Sequence, residues 1–188
     1  MTKRKSIFLG KSELHFNDQN VKGETVTLEG ELFYKISNFD KMRPFFMSVV
    51  SHSDHWLFIS STGALSAGRK NSNYALFPYY TDDKISEAFE TTGSKTIFLV
   101  DDADRKCLWE PFSKLYANVY NTERNLYKNS LGNKLIFEEI NHDLQLTYKY
   151  SWAVSEKYGF VRTSVLQSNS SKSKTVSVLD GIQNIIPW

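Results

Sequence analysis

The densest group of residues capable of chemistry lies just before an apolar run that starts at Trp56. His52, Asp54 and His55 are all polar, and the aromatic ring of Trp56 follows directly. Imidazole and carboxylate groups can act as general bases or hydrogen-bond partners at neutral pH. A structural metal needs more ligands at characteristic spacings than this stretch supplies, so the sequence predicts no metal and no cofactor. We predict that these four residues form a substrate-binding surface, with solvated turn residues as the alternative.

Arg69 joins this predicted site at the end of residues 63–70, which have the sequence GALSAGRK. The segment shares some features with a phosphate-binding loop. Such a loop needs Gly-Lys followed by Ser or Thr at the start of a helix. Arg69 and Lys70 occupy those two positions here. We therefore exclude a phosphate-binding loop and keep Arg69 as a substrate-binding candidate.

Two acidic groups do not fit the sites that they superficially suggest. Residues 101–106 are rich in aspartate, but they lack the glycine and the bidentate glutamate of a calcium-binding loop. Glu138 and Glu139 are neighbours in a predicted strand, so their side chains should point to opposite faces and cannot flank one glycosidic bond. The sequence therefore indicates no catalytic residue.

Alternating apolar and polar residues predict strands along most of the chain. The clearest alternation covers residues 144–152, and aromatic residues, which favour strands, make up 14% of the chain. The best helix candidate covers residues 81–93 and should end at Gly93. Residues 168–173 look like the tip of a hairpin. We predict an all-β fold: a two-layer antiparallel β-sandwich, or super-sandwich, with one short helix near 82–92, forming a single domain over residues 1–188.

Charge and composition narrow the possible partners. The net charge of +2, from 23 basic and 21 acidic residues, gives no general attraction to nucleic acid. No run approaches the roughly 20 apolar residues of a membrane helix, so we predict no membrane contact. The one cysteine, Cys107, excludes an internal disulfide framework. The N-terminus has no apolar stretch long enough for a signal peptide. A cytoplasmic location is therefore predicted.

Several segments resemble the N-terminal β-domain of large glycoside hydrolase and phosphorylase-like proteins, with the cellobiose phosphorylase group as the nearest comparison. They are the sequence WLFISSTGALSAGR at 56–69, the predicted hairpin at 96–112, the long predicted strands at 133–153, and residues 159–162 and 168–170. Residues 180–181 and 184–187 resemble the exit toward the next domain. The resemblance implies a super-sandwich related to the galactose mutarotase fold, followed by a helical barrel. The chain would then be the N-terminal part of a longer protein, cut just after Trp188.

In the proteins that this chain resembles, the catalytic carboxylate lies in the barrel, so no catalytic residue is transferred. The resemblance implies a non-catalytic accessory domain that supports a helical barrel of the same polypeptide and can also support a homodimer. Such a domain should expose a large apolar patch. A free-standing carbohydrate-binding module should instead expose a row of coplanar aromatic rings. A small mutarotase-like enzyme should bring a histidine and a carboxylate together in a sheet concavity.

Overall fold

Antiparallel strands dominate the computed structural model, which describes residues 6–186. The predicted exit toward the next domain at residues 184–187 lies only partly within these residues. The predicted cut after Trp188 lies outside them. Within residues 6–186 the chain forms fourteen strands. The first seven are β1 (Phe8–Leu9), β2 (Ser12–Glu13), β3 (Lys22–Leu28), β4 (Glu31–Ser37), β5 (Phe46–Val49), β6 (His55–Ser60) and β7 (Leu65–Arg69). The others are β8 (Gly93–Asp102), β9 (Arg105–Trp109), β10 (Thr122–Asn129), β11 (Lys134–Asn141), β12 (Leu146–Ser155), β13 (Gly159–Ser168) and β14 (Val176–Gln183).

The strands form one large sheet, two small sheets and a short N-terminal hairpin. The large sheet has six strands in the order β13-β12-β11-β10-β4-β3. The small sheets have three strands each, in the orders β5-β6-β7 and β14-β8-β9, and β1 pairs only with β2. All the pairs are antiparallel. The predicted all-β antiparallel fold is therefore confirmed.

The core lies between the large sheet and the two small sheets. In β12, the alternating residues Leu146, Tyr148, Tyr150 and Trp152 are all buried. Tyr148 packs edge-on against Phe98 of β8, with ring centroids 5.2 Å apart. The period of two in residues 144–152 places every second side chain on this inner face, as the sequence predicts.

The helical content is smaller than residues 81–93 suggest. One α-helical turn, α1 (Asp82–Ile85), is followed by a 3₁₀ turn at Ala88–Glu90; other 3₁₀ turns lie at Phe39–Lys41 and Ser72–Tyr74. Short helices are marginal in water without packing. Ile85 is fully buried, whereas Ala88 and Phe89 are only half-buried, so packing anchors just the first turn. Gly93 does not end a helix but begins β8, with φ of +114°.

The connection between β13 and β14 differs from the sequence expectation. Residues 168–173 do not form a hairpin tip, because β13 belongs to the large sheet and β14 pairs with β8 in a small sheet. Residues 75–80, which follow β7, contribute little to a sheet. Only Ala75 makes an isolated bridge, to Gly68. The C-terminal part of the chain thus crosses from one layer to the other.

Candidate functional site

The structure places His52 and Asp54 in the exposed turn between β5 and β6. His52 Nε2 lies 2.9 Å from Glu156 Oε1, and the two side chains are 82% and 77% exposed. The Asp54 carbonyl accepts a hydrogen bond from the Lys70 backbone N–H at 2.7 Å. Water surrounds this exposed contact, so it contributes little to stability and leaves both side chains accessible.

The other three predicted residues divide between two faces of the β5-β6-β7 sheet. His55 of β6 lies directly opposite Arg69 of β7, so their side chains share one face, whereas Trp56 lies opposite Gly68 and points to the other face. His55 is held by Ser53 Oγ, 2.8 Å from its Nδ1, and by the edge of Phe160. The structure therefore brings His55 and Arg69 together but separates both of them from Trp56.

Trp56 belongs to a row of aromatic rings on the outer face of this sheet. Phe46 and Phe58 have centroids 5.2 Å apart with an angle of 31° between their planes, and Trp56 and Phe58 are 5.6 Å apart at 34°. Tyr79, 56% exposed, meets Trp56 edge-on. Gly68 makes room for the indole, because a Cβ there would lie 2.6 Å from the Trp56 ring. The rings lean on one another and do not form one flat platform.

Glu138 and Glu139 point to opposite faces of the large sheet, as predicted, and both are buried. Glu138, on the outer face, accepts hydrogen bonds from Asn125, Tyr127 and Lys149. Burial alone would raise the pKa of Glu138, but the hydrogen bonds from Lys149 and Tyr127 outweigh it and lower that pKa. This carboxylate is therefore charged and fully engaged within the sheet.

Glu139, on the inner face, organises one end of the sandwich. Its Oε2 accepts hydrogen bonds from Arg124 Nε and from the Phe112 backbone N–H, both at 2.7 Å, and its Oε1 accepts one from Trp109 Nε1 at 2.8 Å. Arg124 Nη2 also donates to the Ser113 carbonyl at 3.1 Å. A buried charge needs this degree of pairing to offset its lost hydration. The network thus fixes both Arg124 and the chain around Phe112.

A pocket of about 460 Å³ opens beside this network, where the β4–β5, β6–β7 and β9–β10 connections meet. We call it the end pocket. Its aromatic floor consists of Phe39, Phe112, Phe137 and Tyr150. Phe137 and Tyr150 are stacked, with centroids 4.8 Å apart, and the edge of Phe112 meets Tyr150 at 90°. The polar groups of its rim include Asp40, Thr62, Lys114, Asn118 and Arg124. Its volume is typical of a small-molecule site.

Two residues of the end pocket have unusual backbone conformations. Phe112 has φ of 62° and Asn118 has φ of 66°. Asparagine tolerates this region, whereas a phenylalanine there is a true outlier that the surrounding structure must stabilise. The hydrogen bond from Phe112 N–H to Glu139 is one such interaction. Strained residues of this kind concentrate at binding and catalytic sites, which makes the end pocket our candidate site.

Only one weak signal in the sequence points to the end pocket. Glu139 shares its strand parity with Leu135 and Phe137, so a carboxylate stands among residues that face the core. Arg124, Phe112 and Asn118 belong to no local motif. They approach one another only because β10 pairs with β11 and the β9–β10 connection folds over that edge of the sandwich.

Among residues 6–186, no group of three or more histidine, cysteine, aspartate or glutamate residues could hold a metal ion. In the same part of the chain, no helix is long and apolar enough to cross a membrane. His15 Nε2 lies 3.9 Å from Asp143 Oδ2, and both side chains are 40% exposed. This pair, like His52 and Glu156, lies in connecting segments and not on a sheet strand.

Comparison of the chain with protein-family models gives no match, and comparison with curated proteins gives none either.

Proposed function

We propose that this chain is a non-catalytic β-sandwich domain that binds carbohydrate in its end pocket and serves as an accessory domain of a carbohydrate-active protein. The observation that carries the proposal is the pairing of an aromatic floor with a rim of planar polar side chains. A sugar ring has an apolar C–H face and a circumference of hydroxyl groups. The rings of Phe112 and Tyr150 can pack against the C–H face of the sugar. The polar groups of Asp40, Asn118 and Arg124 can hydrogen-bond to its hydroxyl groups.

The electrostatics of the pocket support binding more than catalysis. Glycoside hydrolysis uses two carboxyl groups on either side of the scissile bond. Among the described residues that line the end pocket, Asp40 is the carboxylate of the rim, while Glu139 behind it is engaged by three donors. Because Glu139 holds the Arg124 guanidinium in place, a ligand would not have to order that side chain.

An exposed apolar face supports the accessory role. On the outer face of the β14-β8-β9 sheet, Leu179 lies opposite Ile97 and Leu99 lies opposite Leu108. Leu179 is 66% exposed and Leu108 is 49% exposed. Contiguous exposed aliphatic side chains are typical of surfaces that another protein element covers. In this proposal the covering element is the helical barrel of the same polypeptide, in the cytoplasm. A homodimer remains part of the proposal without a surface assigned to it.

The aromatic row favours a second candidate, the free-standing carbohydrate-binding module. Such a module would use the outer face around Trp56, Phe58 and Tyr79, which lies on a different sheet from the Leu108 face. Replacing Trp56 with alanine separates the two candidates. If sugar binding is lost in Trp56→Ala and retained in end-pocket variants, the row is the binding surface and the end pocket is not.

A mutarotase-like activity is the third candidate, and it has a simple test. We expect sugar anomerisation at the uncatalysed rate both with the unmodified chain and with variants in which His52, His55 or His142 is replaced by alanine. If the unmodified chain raises the rate of anomerisation above that background, and one of these variants abolishes the increase, the chain is an enzyme. That result would contradict a non-catalytic role.

The main test is sugar binding by NMR titration of the full chain with glucose, galactose, mannose and N-acetylglucosamine. We expect at least one sugar to shift the amide signals of residues around Asp40 and Asn118. Asp40→Ala should weaken binding about tenfold, the loss expected for one good hydrogen bond to a charged group. Ala117→Trp, at the exposed mouth of the pocket, should abolish binding.

The matched control is Asp104→Ala, which removes an exposed carboxylate in the β8–β9 turn, away from the residues that line the pocket. It should leave binding unchanged. Binding that neither Asp40→Ala nor Ala117→Trp weakens would overturn the assignment of the pocket. No binding by any sugar, including the oligosaccharides named below, would overturn the proposed function.

A further inference from the structure

A second cavity, of about 800 Å³, adjoins the end pocket. The two cavities share Asp40 and Asn118 among their lining residues, so they lie side by side with these two polar residues at their junction. The second cavity is otherwise lined by the N-terminal arm, including His15 and Phe16, and by Tyr120 at the end of the β9–β10 connection.

The N-terminal arm is fixed to the sandwich, so the second cavity has a defined wall. The His15 backbone N–H donates to the Asn118 carbonyl at 2.7 Å. Asn17 Nδ2 donates to Asn38 Oδ1 at 3.0 Å and to the Thr122 carbonyl at 3.3 Å. Asn38 is itself buried and donates to the Asn20 carbonyl at 3.1 Å. The same residue that borders both cavities, Asn118, therefore also ties the arm in place.

The second cavity repeats the chemistry of the end pocket in a more open form. Phe16 is 53% exposed and offers an apolar ring. The Tyr120 hydroxyl donates to the Leu108 carbonyl at 2.7 Å, so its polar end is already engaged and its ring forms part of the lining. The His15 side chain supplies polar atoms beside these rings.

We infer that the two cavities form one groove that binds a linear oligosaccharide, with one sugar unit in the end pocket and the next units along the N-terminal arm. This inference rests on the proposed function and extends it from a single sugar to a chain. Asp40 and Asn118, at the junction, would bond to hydroxyl groups of both neighbouring units. The polar junction suits the hydroxyl-rich linkage region of a sugar chain better than it suits a continuous apolar ligand.

The test compares affinities along a length series by isothermal titration calorimetry of the full chain. The probes are glucose and the di-, tri- and tetrasaccharides of glucose in both α-1,4 and β-1,4 linkage. If a different sugar binds best in the NMR titration, its own oligomers replace the glucose series. We expect the trisaccharide to bind at least about tenfold more tightly than the monosaccharide, because the second cavity then contributes to binding.

Two phenylalanines of the N-terminal arm provide the variant and its matched control. Phe16 lines the second cavity, whereas Phe8 is similarly exposed, 58% against 53%, but is not among the lining residues. Phe16→Ala should bring trisaccharide affinity to within about threefold of the monosaccharide and leave monosaccharide affinity unchanged. Phe8→Ala should change neither affinity. Circular dichroism and thermal unfolding check that both variants remain folded.

The outcomes distinguish this inference from the proposed function. Equal affinity for monosaccharide and trisaccharide, with binding still weakened by Asp40→Ala, would overturn the groove and leave the end pocket as a single-sugar site. A gain with chain length that Phe16→Ala does not reduce would also overturn it. If no member of the series binds, the proposed function fails and the inference fails with it.

Discussion

Glu139 Oε2 accepts a hydrogen bond of 2.7 Å from the backbone N–H of Phe112, a residue whose φ of 62° is rare for an aromatic side chain. A buried carboxylate thus stabilises a strained turn of the connecting loop. The same oxygen pairs with Arg124, so the strained loop and the guanidinium of the pocket rim depend on one side chain. The shape of the end pocket should accordingly be more sensitive to Glu139 than to any single residue of its rim.

Glu139→Gln should destabilise the protein by about 3 kcal/mol, the usual cost of breaking a buried charge pair. Three donors face this carboxylate, and glutamine has one oxygen to accept from them and an amide group that would face a donor. Urea unfolding followed by tryptophan fluorescence measures the change. The control, Glu156→Gln, removes an exposed carboxylate paired with His52 and should cost less than about 0.5 kcal/mol. Equal effects of the two variants would contradict the role of Glu139.

Asp180 should make stability depend on acid pH. It accepts two hydrogen bonds from Arg162 of β13, at 2.7 and 2.9 Å, which join the edges of the two layers. It also accepts one from Thr96 of the neighbouring strand β8, at 2.6 Å. Partial burial alone would raise the pKa of Asp180, but these hydrogen bonds outweigh burial and hold that pKa well below its usual 3.8. Because the folded pKa is lowered, the stabilisation is complete above about pH 4 and is lost as the pH falls below that value.

Asp180→Asn should therefore cost about 1.5 kcal/mol at pH 7, and the difference from the unmodified chain should shrink below pH 4. Unfolding free energies measured by urea titration between pH 2.5 and pH 7 give this comparison. An energy difference that stays constant down to pH 2.5 would show that the charge of Asp180 contributes nothing.

Gly93 should tolerate no side chain. Its φ is +114°, and a Cβ at this position would lie 2.5 Å from the Gly63 carbonyl oxygen. Gly93→Ala is expected to cost about 2 kcal/mol. Gly181 lies opposite Lys95 in the neighbouring strand, and a Cβ there would meet no atom within 4 Å. Gly181→Ala should be neutral or stabilise the fold by up to about 0.5 kcal/mol. Thermal unfolding of Gly93→Ala and Gly181→Ala measures both changes in stability. Similar losses of stability in the two variants would be inconsistent with this geometry.

The Tyr120 hydroxyl should lose its proton only at unusually high pH. Burial, with a smaller contribution from the nearby Cys107, raises the pKa of Tyr120 to about 12. Its hydroxyl also donates to the Leu108 carbonyl at 2.7 Å. In a spectrophotometric titration of phenolate absorbance, the component that Tyr120→Phe removes should appear near pH 12, while circular dichroism verifies that the chain is still folded. If the component that Tyr120→Phe removes instead titrates near pH 10 in the folded protein, the burial of this hydroxyl is contradicted.

The fold class follows from local pattern, because strand parity is a local property. The alternation through Tyr148 and Tyr150 identifies the inner face of β12, and the neighbouring positions of Glu138 and Glu139 identify the two faces of β11. Pairing between distant segments is not local. Nothing near residue 176 indicates that β14 pairs with β8, so the preceding polar segment looked like a hairpin tip although it connects two sheets.

The candidate site was harder to predict for the same reason. Phe39, Phe112 and Arg124 are separated by long stretches of chain and share no motif, and only the packing of three connections brings them together. The polar stretch around His52 was conspicuous because its residues are adjacent in sequence. In the structure that adjacency yields an exposed turn, with Trp56 turned away from His55 by the strand pleat.

The leucines on the outer face of the β14-β8-β9 sheet have a thermodynamic consequence for assembly. If a second domain covers Leu108 and Leu179, docking removes hydrated aliphatic surface, and the heat capacity of the system falls. Calorimetry at several temperatures would register this as a binding enthalpy that becomes more negative on warming. A lysine in place of Leu179, which lines neither cavity, would reduce that slope while leaving sugar recognition untouched.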